Sequence, residues 1–245
     1  MIWWIVTFGI LGGAGAAAGS ALVMALPKHT RRALVPWLLS FATGTLLGAA
    51  FLGMMPKAFA GASAAALSAT LLAGFVAFFA LEKLLIWRHC HGPECEVHGR
   101  AGPLILVGDA FHNVVDGVVI AAAFLASVPL GVAAALAVIA HEVPQEVGDF
   151  AILLDSGYSV RSALVLNILS AGATLPGAVL GYLWLGEAMA AMPYVLALSA
   201  ASFIYIAAAD LIPTLHRRSA PGTAFAQFLL VLAGIGTIAL FGLGG

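Results

Sequence analysis

Long apolar runs separated by short polar breaks dominate the chain. A typical run is ALVLNILSAGATLPGAVLGYLWL, at residues 163–185. A helix needs about 20 apolar residues to cross the hydrocarbon core of a bilayer, and the runs lack the alternation of apolar and polar residues that barrel strands show. The pattern therefore predicts eight membrane-spanning helices, at about residues 2–26, 33–55, 64–87, 103–126, 131–154, 162–185, 193–214 and 222–243.

The composition agrees with this pattern. Of 245 residues, 62% are hydrophobic and only 9% are charged, and the mean hydropathy is +1.08. A soluble domain of this size needs more charge on its surface. We therefore predict an all-α integral membrane protein with one transmembrane domain, residues 1–245, in contact with the lipid bilayer. The net charge of −1 and the absence of a large basic cluster argue against a nucleic-acid partner.

The basic residues predict the orientation. The first apolar run lacks a basic segment before it and is too long for a signal peptide, so it is interpreted as a spanning helix. All basic residues except Lys57 then fall on one side of the membrane. Short loops rich in Lys and Arg stay cytoplasmic. Both termini are therefore expected outside the cytoplasm, in a multi-pass protein of the cell membrane, with the loop at 88–102 inside.

The fourth and fifth runs each carry a stripe of polar residues. At about 100° per residue, each set falls on one face of its helix. A charged group in mid-bilayer costs about 3 kcal/mol on insertion scales, so the stripes must pair, line water or hold an ion. A purely structural hydrogen-bond network between the two helices is the alternative. The residues are Asp109, His112, Asn113 and Asp116 in the fourth run, and His141, Glu142, Gln145, Glu146 and Asp149 in the fifth.

The residue types indicate which ion would bind. Imidazole combined with carboxylate suits zinc and related transition metals, whereas calcium and magnesium prefer oxygen alone. His112 and Asp116 are one helical turn apart, as are His141 and Gln145, so each pair can close on one ion. The stripes contain no thiolate, which argues against a permanently bound structural zinc. These features predict a metal site between helices 4 and 5 that releases its ion.

Two motifs carry a resemblance to a known family. HNVVDG (112–117) and HEVPQEVGDFAILL (141–154) resemble the HNxxDG and HExPHE motifs of the ZIP (Zrt/Irt-like) divalent metal transporters, the second followed by GDFAxLL. FATGTLLGAAF (41–51), FFALEKLL (78–85) and FIYIAAADLIPTL (203–215) are also similar to family segments. The resemblance implies a transporter that moves Zn²⁺, or Cd²⁺, Fe²⁺ or Mn²⁺, towards the cytosol through a binuclear-type site.

The resemblance also implies roles for individual residues. The main transport site would comprise His112, Asp116, His141 and Gln145. Asn113 and Glu142 would line the second site, with Asp116 and Gln145 shared. The ion pathway would include Asp109, Glu146, Asp149 and Asp210. Two positions depart from the family pattern, because Gln145 and Gly53 stand where related sequences often carry histidine, which leaves the preferred metal open.

The segment RHCHGPECEVHGR (88–100) is a second candidate metal-binding region. The family often has a His-rich loop here, and the resemblance implies that it captures or senses metal; a solvated connector is the alternative. Its candidate ligands are His89, Cys90, His91, Cys95 and His98. The glycine pairs Gly9/Gly13 and Gly15/Gly19 favour close helix packing inside the molecule, while a homodimer is left open.

Two other functions are alternatives to transport. HEVPQ is one residue short of the HExxH pattern of zinc hydrolases, in which the second His holds the metal. Gln145 occupies that position, so an intramembrane hydrolase is the weaker alternative and no enzyme is predicted. A metal sensor that does not transport would depend on the 88–100 loop and lacks an output domain.

Overall fold

The apolar runs form eight long helices in a computed structural model, which describes residues 1–87, 101–218 and 222–242. Their described membrane-spanning parts are α1 Ile2–Ala25, α2 Lys28–Gly61, α3 Ala64–Leu81, α4 Leu106–Ala126, α5 Val128–Leu154, α6 Val160–Glu187, α7 Met189–Arg217 and α8 Ala224–Phe241. Helical structure continues to Trp87 after α3, begins at Ala101 before α4 and reaches Asp155 after α5. The prediction of an all-α membrane protein with eight spans is confirmed.

Several helix ends lie outside the predicted limits. The predicted break at 27–32 is wrong for most of its length, because helix α2 begins at Lys28, directly after Pro27. The predicted break at 56–63 is likewise too long, because α2 continues through Pro56 to Gly61. Residues 101 and 102, assigned to the loop, are helical. An apolar run marks only the part of a helix that lies in the hydrocarbon core of the bilayer. The helix itself can extend further, into the polar headgroup region on either side.

The helices that carry polar stripes lie in the interior of the bundle. In α2, α4, α5 and α7, between 56% and 67% of the residues in the most apolar stretch of the helix are buried, whereas the share is 11% in α3 and α8. Helices α4 and α5 pack against each other, α6 packs on α4 and α1, α3 on α7, and α8 on α2. The stripes of α4 and α5 are therefore shielded from lipid and can face one another.

Two glycines allow α4 and α6 to touch at the main chain. A Cβ atom on Gly117 would collide with the main chain of Thr174 and Ala178, and one on Gly177 would collide with the main chain of Val114. Small residues permit this close approach between membrane helices. The contact brings polar side chains of α6 beside the stripe of α4.

We expect Gly117→Ala to destabilise the protein. The added methyl group must push α4 away from α6, and overpacking of this kind lowers the free energy of unfolding by about 1–3 kcal/mol. Thermal unfolding of the purified protein in detergent measures the effect. Gly148→Ala is the matched control, because a Cβ there meets no atom within 4 Å. Equal unfolding temperatures for the two variants would contradict the close-contact argument.

Three of the helices contain a π-helical turn. These turns are Leu11–Gly15 in α1, Ala49–Met54 in α2 and Ile206–Leu211 in α7. Such turns insert an extra residue into a helix and are frequent at functional sites. The turn in α7 contains Asp210, one of the residues predicted on the ion pathway.

The glycines of α1 face neighbouring helices within the molecule. A Cβ atom added to Gly9 would lie 3.3 Å from the Ala178 side chain, and one added to Gly19 would lie 3.2 Å from the Val143 side chain. A Cβ atom added to Gly13 would collide with the carbonyl oxygen of Ala171. The predicted use in internal packing agrees with Gly9, Gly13 and Gly19 but not with Gly15, where an added Cβ would meet only Ile10 and Leu11 of the same helix.

Candidate metal centre

Four side chains of α4 and α5 converge on one point inside the bundle. Each of His112, Asp116, His141 and Glu142 offers a ligand atom within 4.8 Å of the others. Nε2 of His141 lies 3.1 Å from Asp116 Oδ2 and 3.4 Å from Glu142 Oε1. Nε2 of His112 lies 3.2 Å from Nε2 of His141, 3.4 Å from Glu142 Oε1 and 3.9 Å from Asp116 Oδ2. We call this set the imidazole group.

The spacing of the imidazole group matches the size of a zinc ion. Zinc bonds to nitrogen and oxygen ligands are about 2.0–2.1 Å long, which sets the ligand atoms of a tetrahedral site about 3.3 Å apart. Four of the five distances lie between 3.1 and 3.4 Å, and only the His112–Asp116 separation of 3.9 Å is longer. The side chains could therefore close on one tetrahedral ion with small movements.

The main chain orients His141 for metal binding. Its Nδ1 lies 2.9 Å from the carbonyl oxygen of Ala137. A carbonyl oxygen can only accept, so Nδ1 carries a proton and Nε2 is the ring nitrogen available to a metal ion when the ring is neutral. Ligating histidines commonly have such a partner on the other ring nitrogen. His141 Nε2 thus faces the other members of the group.

The carboxylates of the imidazole group are buried and have few polar neighbours. Asp116 and Glu142 have no exposed surface; Asp116 Oδ2 and Glu142 Oε1 face the imidazole nitrogens at 3.1–3.9 Å, and the other oxygen of each carboxylate has no hydrogen-bond partner. A buried carboxylate left in this condition is costly unless a cation compensates it. The compensating cation is either a bound metal ion or a protonated imidazole of His112 or His141.

Asp109 is fixed by donors from three helices. Its Oδ1 accepts from Asn113 Nδ2 at 3.2 Å and from Gln145 Nε2 at 3.4 Å. Its Oδ2 accepts from the hydroxyl of Ser170 in α6. Asn113 in turn accepts at its amide oxygen from Thr174 Oγ1 at 2.7 Å. Asn113 and Gln145, both predicted as ligands, thus each donate to Asp109 in this arrangement.

A second group of acidic side chains lies beside the first. Asp109, Glu142 and Glu146 each offer an oxygen within 4.8 Å of the others, and we call them the carboxylate group. Glu142 belongs to both groups. Sequence reasoning assigned Asp109 and Glu146 to the pathway and did not group them with Glu142.

Three residues of α6 contribute to the site and were not predicted. Ser170 and Thr174 bond to Asp109 and Asn113, and Asn167 Nδ2 donates to the main-chain oxygen of Glu146 at 3.2 Å. Asn167, Ser170 and Thr174 are spaced at three and four residues, so they form a polar stripe on one face of α6. That spacing was the available signal, and it was weak because serine, threonine and asparagine carry no charge.

Two cavities adjoin the site. The larger, of 390 Å³, reaches His112, and the smaller, of 310 Å³, lies between α2, α5 and α7. Gln145, Asp149 and Asp210 line both cavities. The predicted pathway residues Asp149 and Asp210 therefore lie beside these cavities. The candidate ligands of the 88–100 loop lie outside the described residues.

Comparison with known families agrees with this geometry. A family model described as ZIP Zinc transporter matches residues 88–242, more than half of the chain and all of the residues of the two groups. The chain belongs to the ZIP zinc transporter family.

Several ZIP proteins are similar along much of the chain. Zinc transporter ZIP13 of Pongo abelii is 34% identical over 223 residues, which cover 84% of this chain and 66% of that protein. Zinc transporter YKE4 of Saccharomyces cerevisiae is 28% identical over 238 residues, covering 84% and 68%. Zinc transporter foi of Drosophila melanogaster is 37% identical over 157 residues, covering 62% and 22%. The chain thus spans from about a fifth to about two thirds of the length of these relatives.

Proposed function

We propose that this ZIP protein carries Zn²⁺, or a similar divalent ion such as Cd²⁺, Fe²⁺ or Mn²⁺, across the cell membrane towards the cytosol. The observation that carries the proposal is the imidazole group, in which two buried carboxylates and two imidazole nitrogens converge at zinc-like spacing. The relatives named as zinc transporters support the same substrate class. In this proposal, residues 1–245 form a single transport domain.

The neighbouring cavities give the ion a route out of the imidazole group. The cavity that reaches His112 is also lined by Gln145, Asp149 and Asp210, whose side chains carry oxygen atoms. Amide and carboxylate oxygens hold zinc less firmly than a site that includes two imidazoles. An ion can pass along a series of such sites only when each binds weakly enough to release it. The change from nitrogen to oxygen ligands along the route therefore favours release.

The route opens towards the predicted cytoplasmic side. The smaller cavity is lined by Val35 near the start of α2, Ala151 near the end of α5 and Thr214 near the end of α7. These ends adjoin the loops that carry most of the basic residues. Near the opposite ends of the helices, Met54, Phe124 and other large apolar side chains are fully buried. These features support a conformation open towards the predicted cytoplasmic side and closed towards the other.

Zinc flux into liposomes that contain only this protein tests the proposal. A zinc-sensitive dye trapped inside should report uptake that depends on the protein and saturates with zinc concentration. Binding of zinc without flux would instead support a sensor. Hydrolysis without flux would support the intramembrane hydrolase, which is not favoured because Gln145 occupies the position of the second histidine and the relatives are named as transporters.

The orientation has its own test. Single cysteines replace Ala64 and His29, two exposed residues at opposite ends of the bundle, in a protein whose Cys90 and Cys95 are serine. The distribution of basic residues predicts that an impermeant thiol reagent added to intact cells labels the cysteine at 64 and spares that at 29. Labelling of the cysteine at 29 alone would reverse the orientation and the direction of transport.

A further inference from the structure

We propose that the hydroxyl of Ser202 in α7 contacts the transported ion as it leaves the imidazole group and thereby takes part in selecting it. This inference deepens the proposed function and rests on it, since the contact lies on the proposed route. The sequence analysis assigned no role to Ser202, and the only residue of α7 that it placed on the route is Asp210.

The position of Ser202 beside the imidazole group is the first observation. Ser202 lines the larger cavity, the one that reaches His112. The next residue, Phe203, packs its ring edge-on against the ring of His141, with the centroids 6.0 Å apart. Ser202 therefore lies near the level of the imidazole group. Asp210, which lines the same cavity, is eight residues further along α7, or about 12 Å at the helical rise per residue.

The unpaired hydroxyl of Ser202 is the second observation. The residue is 1% exposed, and its Oγ has no hydrogen-bond partner in the described part of the chain. A serine in a helix can donate to the carbonyl three or four residues earlier, as Ser20 and Ser40 do. Ser202 leaves this option unused, although burying an unpaired polar group is costly. A hydroxyl held in this way at the wall of a cavity indicates a partner that enters the cavity.

The chemistry of a hydroxyl suits an ion in transit. Its oxygen offers two lone pairs and carries no charge, so it can replace a water of hydration without holding the ion as firmly as a carboxylate does. The other polar residues of the cavity include Gln145, Asp149 and Asp210. Ser202 adds a neutral oxygen to this set from α7, near His112. Because oxygen is a harder ligand than sulfur, the side chain at this position influences which metal ion passes.

A thiol at position 202 tests the contact directly. Ser202→Cys replaces the oxygen by sulfur, which bonds strongly to the soft ion Cd²⁺. The purified full chain in detergent, with Cys90 and Cys95 changed to serine, is titrated with Cd²⁺ to saturation. The variant should gain the ultraviolet charge-transfer absorption of a cadmium–thiolate bond. The matched control is Ser199→Cys, which is also buried, lies one turn earlier on α7 and lines the neighbouring cavity of 290 Å³ instead. It should show no such absorption.

Zinc flux in liposomes measures the contribution of the natural hydroxyl. Ser202→Ala removes only the oxygen, so the KM for zinc should rise about threefold to tenfold, in line with the loss of one polar contact. The maximal rate per inserted molecule should be retained, because no tighter ligand delays release. Ser199→Ala should keep the wild-type KM. A purely structural role of Ser202 would instead lower the amount of inserted protein and leave KM unchanged.

The outcomes separate this inference from the proposed function. Absence of the cadmium–thiolate absorption in Ser202→Cys, or an equal absorption in Ser199→Cys, overturns the contact even if zinc flux is normal. An unchanged KM in Ser202→Ala overturns it as well. Failure of the wild type to transport zinc would reject the proposed function instead, while the cadmium titration would still decide whether the side chain at position 202 meets a bound ion.

Discussion

Zinc uptake is expected to fall by at least about 100-fold per inserted molecule in His141→Ala, more than the 10-fold to 100-fold loss typical of residues that only support a metal ligand. The reason is the central place of this ring. Its Nε2 contacts Asp116, Glu142 and His112 at 3.1–3.4 Å, and its Nδ1 is already bonded to Ala137. Alanine removes the nitrogen ligand and leaves two buried carboxylates facing each other.

Matched variants separate loss of a ligand from loss of a histidine. His216→Ala makes the same change at an exposed position near the end of α7, and it should transport zinc at the wild-type rate. Uptake is divided by the amount of protein inserted in the liposomes, so a folding defect does not appear as a transport defect. Normal uptake per molecule by His141→Ala would remove the imidazole group from the transport route.

The membrane helices and the site on α4 and α5 could be predicted from the sequence for physical reasons. Lipid cannot satisfy a main-chain polar group, so a long apolar run must be helical. A helix also repeats every 3.6 residues, so His112 and Asp116 on α4, and His141 and Glu142 on α5, had to share a face. Two such faces can avoid lipid only by meeting, and the structure brings these four side chains together.

Other features required three-dimensional information. The proximity of Glu146 to Asp109 depends on the position of α5 along its axis relative to α4. The periodicity of the sequence does not specify this position. The contribution of Ser170 and Thr174 depends on the contact of α6 with α4 at Gly117 and Gly177. The helix ends were missed because polar residues such as Lys28 do not resemble a membrane span, although they continue the same hydrogen-bonded helix.

Restoring the family's usual histidine by Gln145→His is expected to tighten zinc binding by about tenfold or more, as replacement of an amide oxygen by an imidazole suits zinc. Gln145 lies one turn after His141, is half-buried, and lines the cavity that also reaches His112. A histidine here adds a third imidazole near the imidazole group. It also removes the amide that donates to Asp109 at 3.4 Å, which leaves that carboxylate freer to meet a cation.

Kinetics across pH measure this variant in two ways. The apparent KM for zinc should fall, and the maximal rate should fall too, because an ion that is held more firmly leaves more slowly. An imidazole must be neutral to bind metal, so protons compete with zinc at each histidine ligand. Zinc affinity should therefore decrease more steeply in Gln145→His than in the wild type as the pH is lowered through the range where histidine is protonated. Gln227→His, the same substitution in the peripheral helix α8, controls for an added histidine. If Gln145→His and Gln227→His share the wild-type KM and pH profile, the side chain at position 145 does not reach the transported ion.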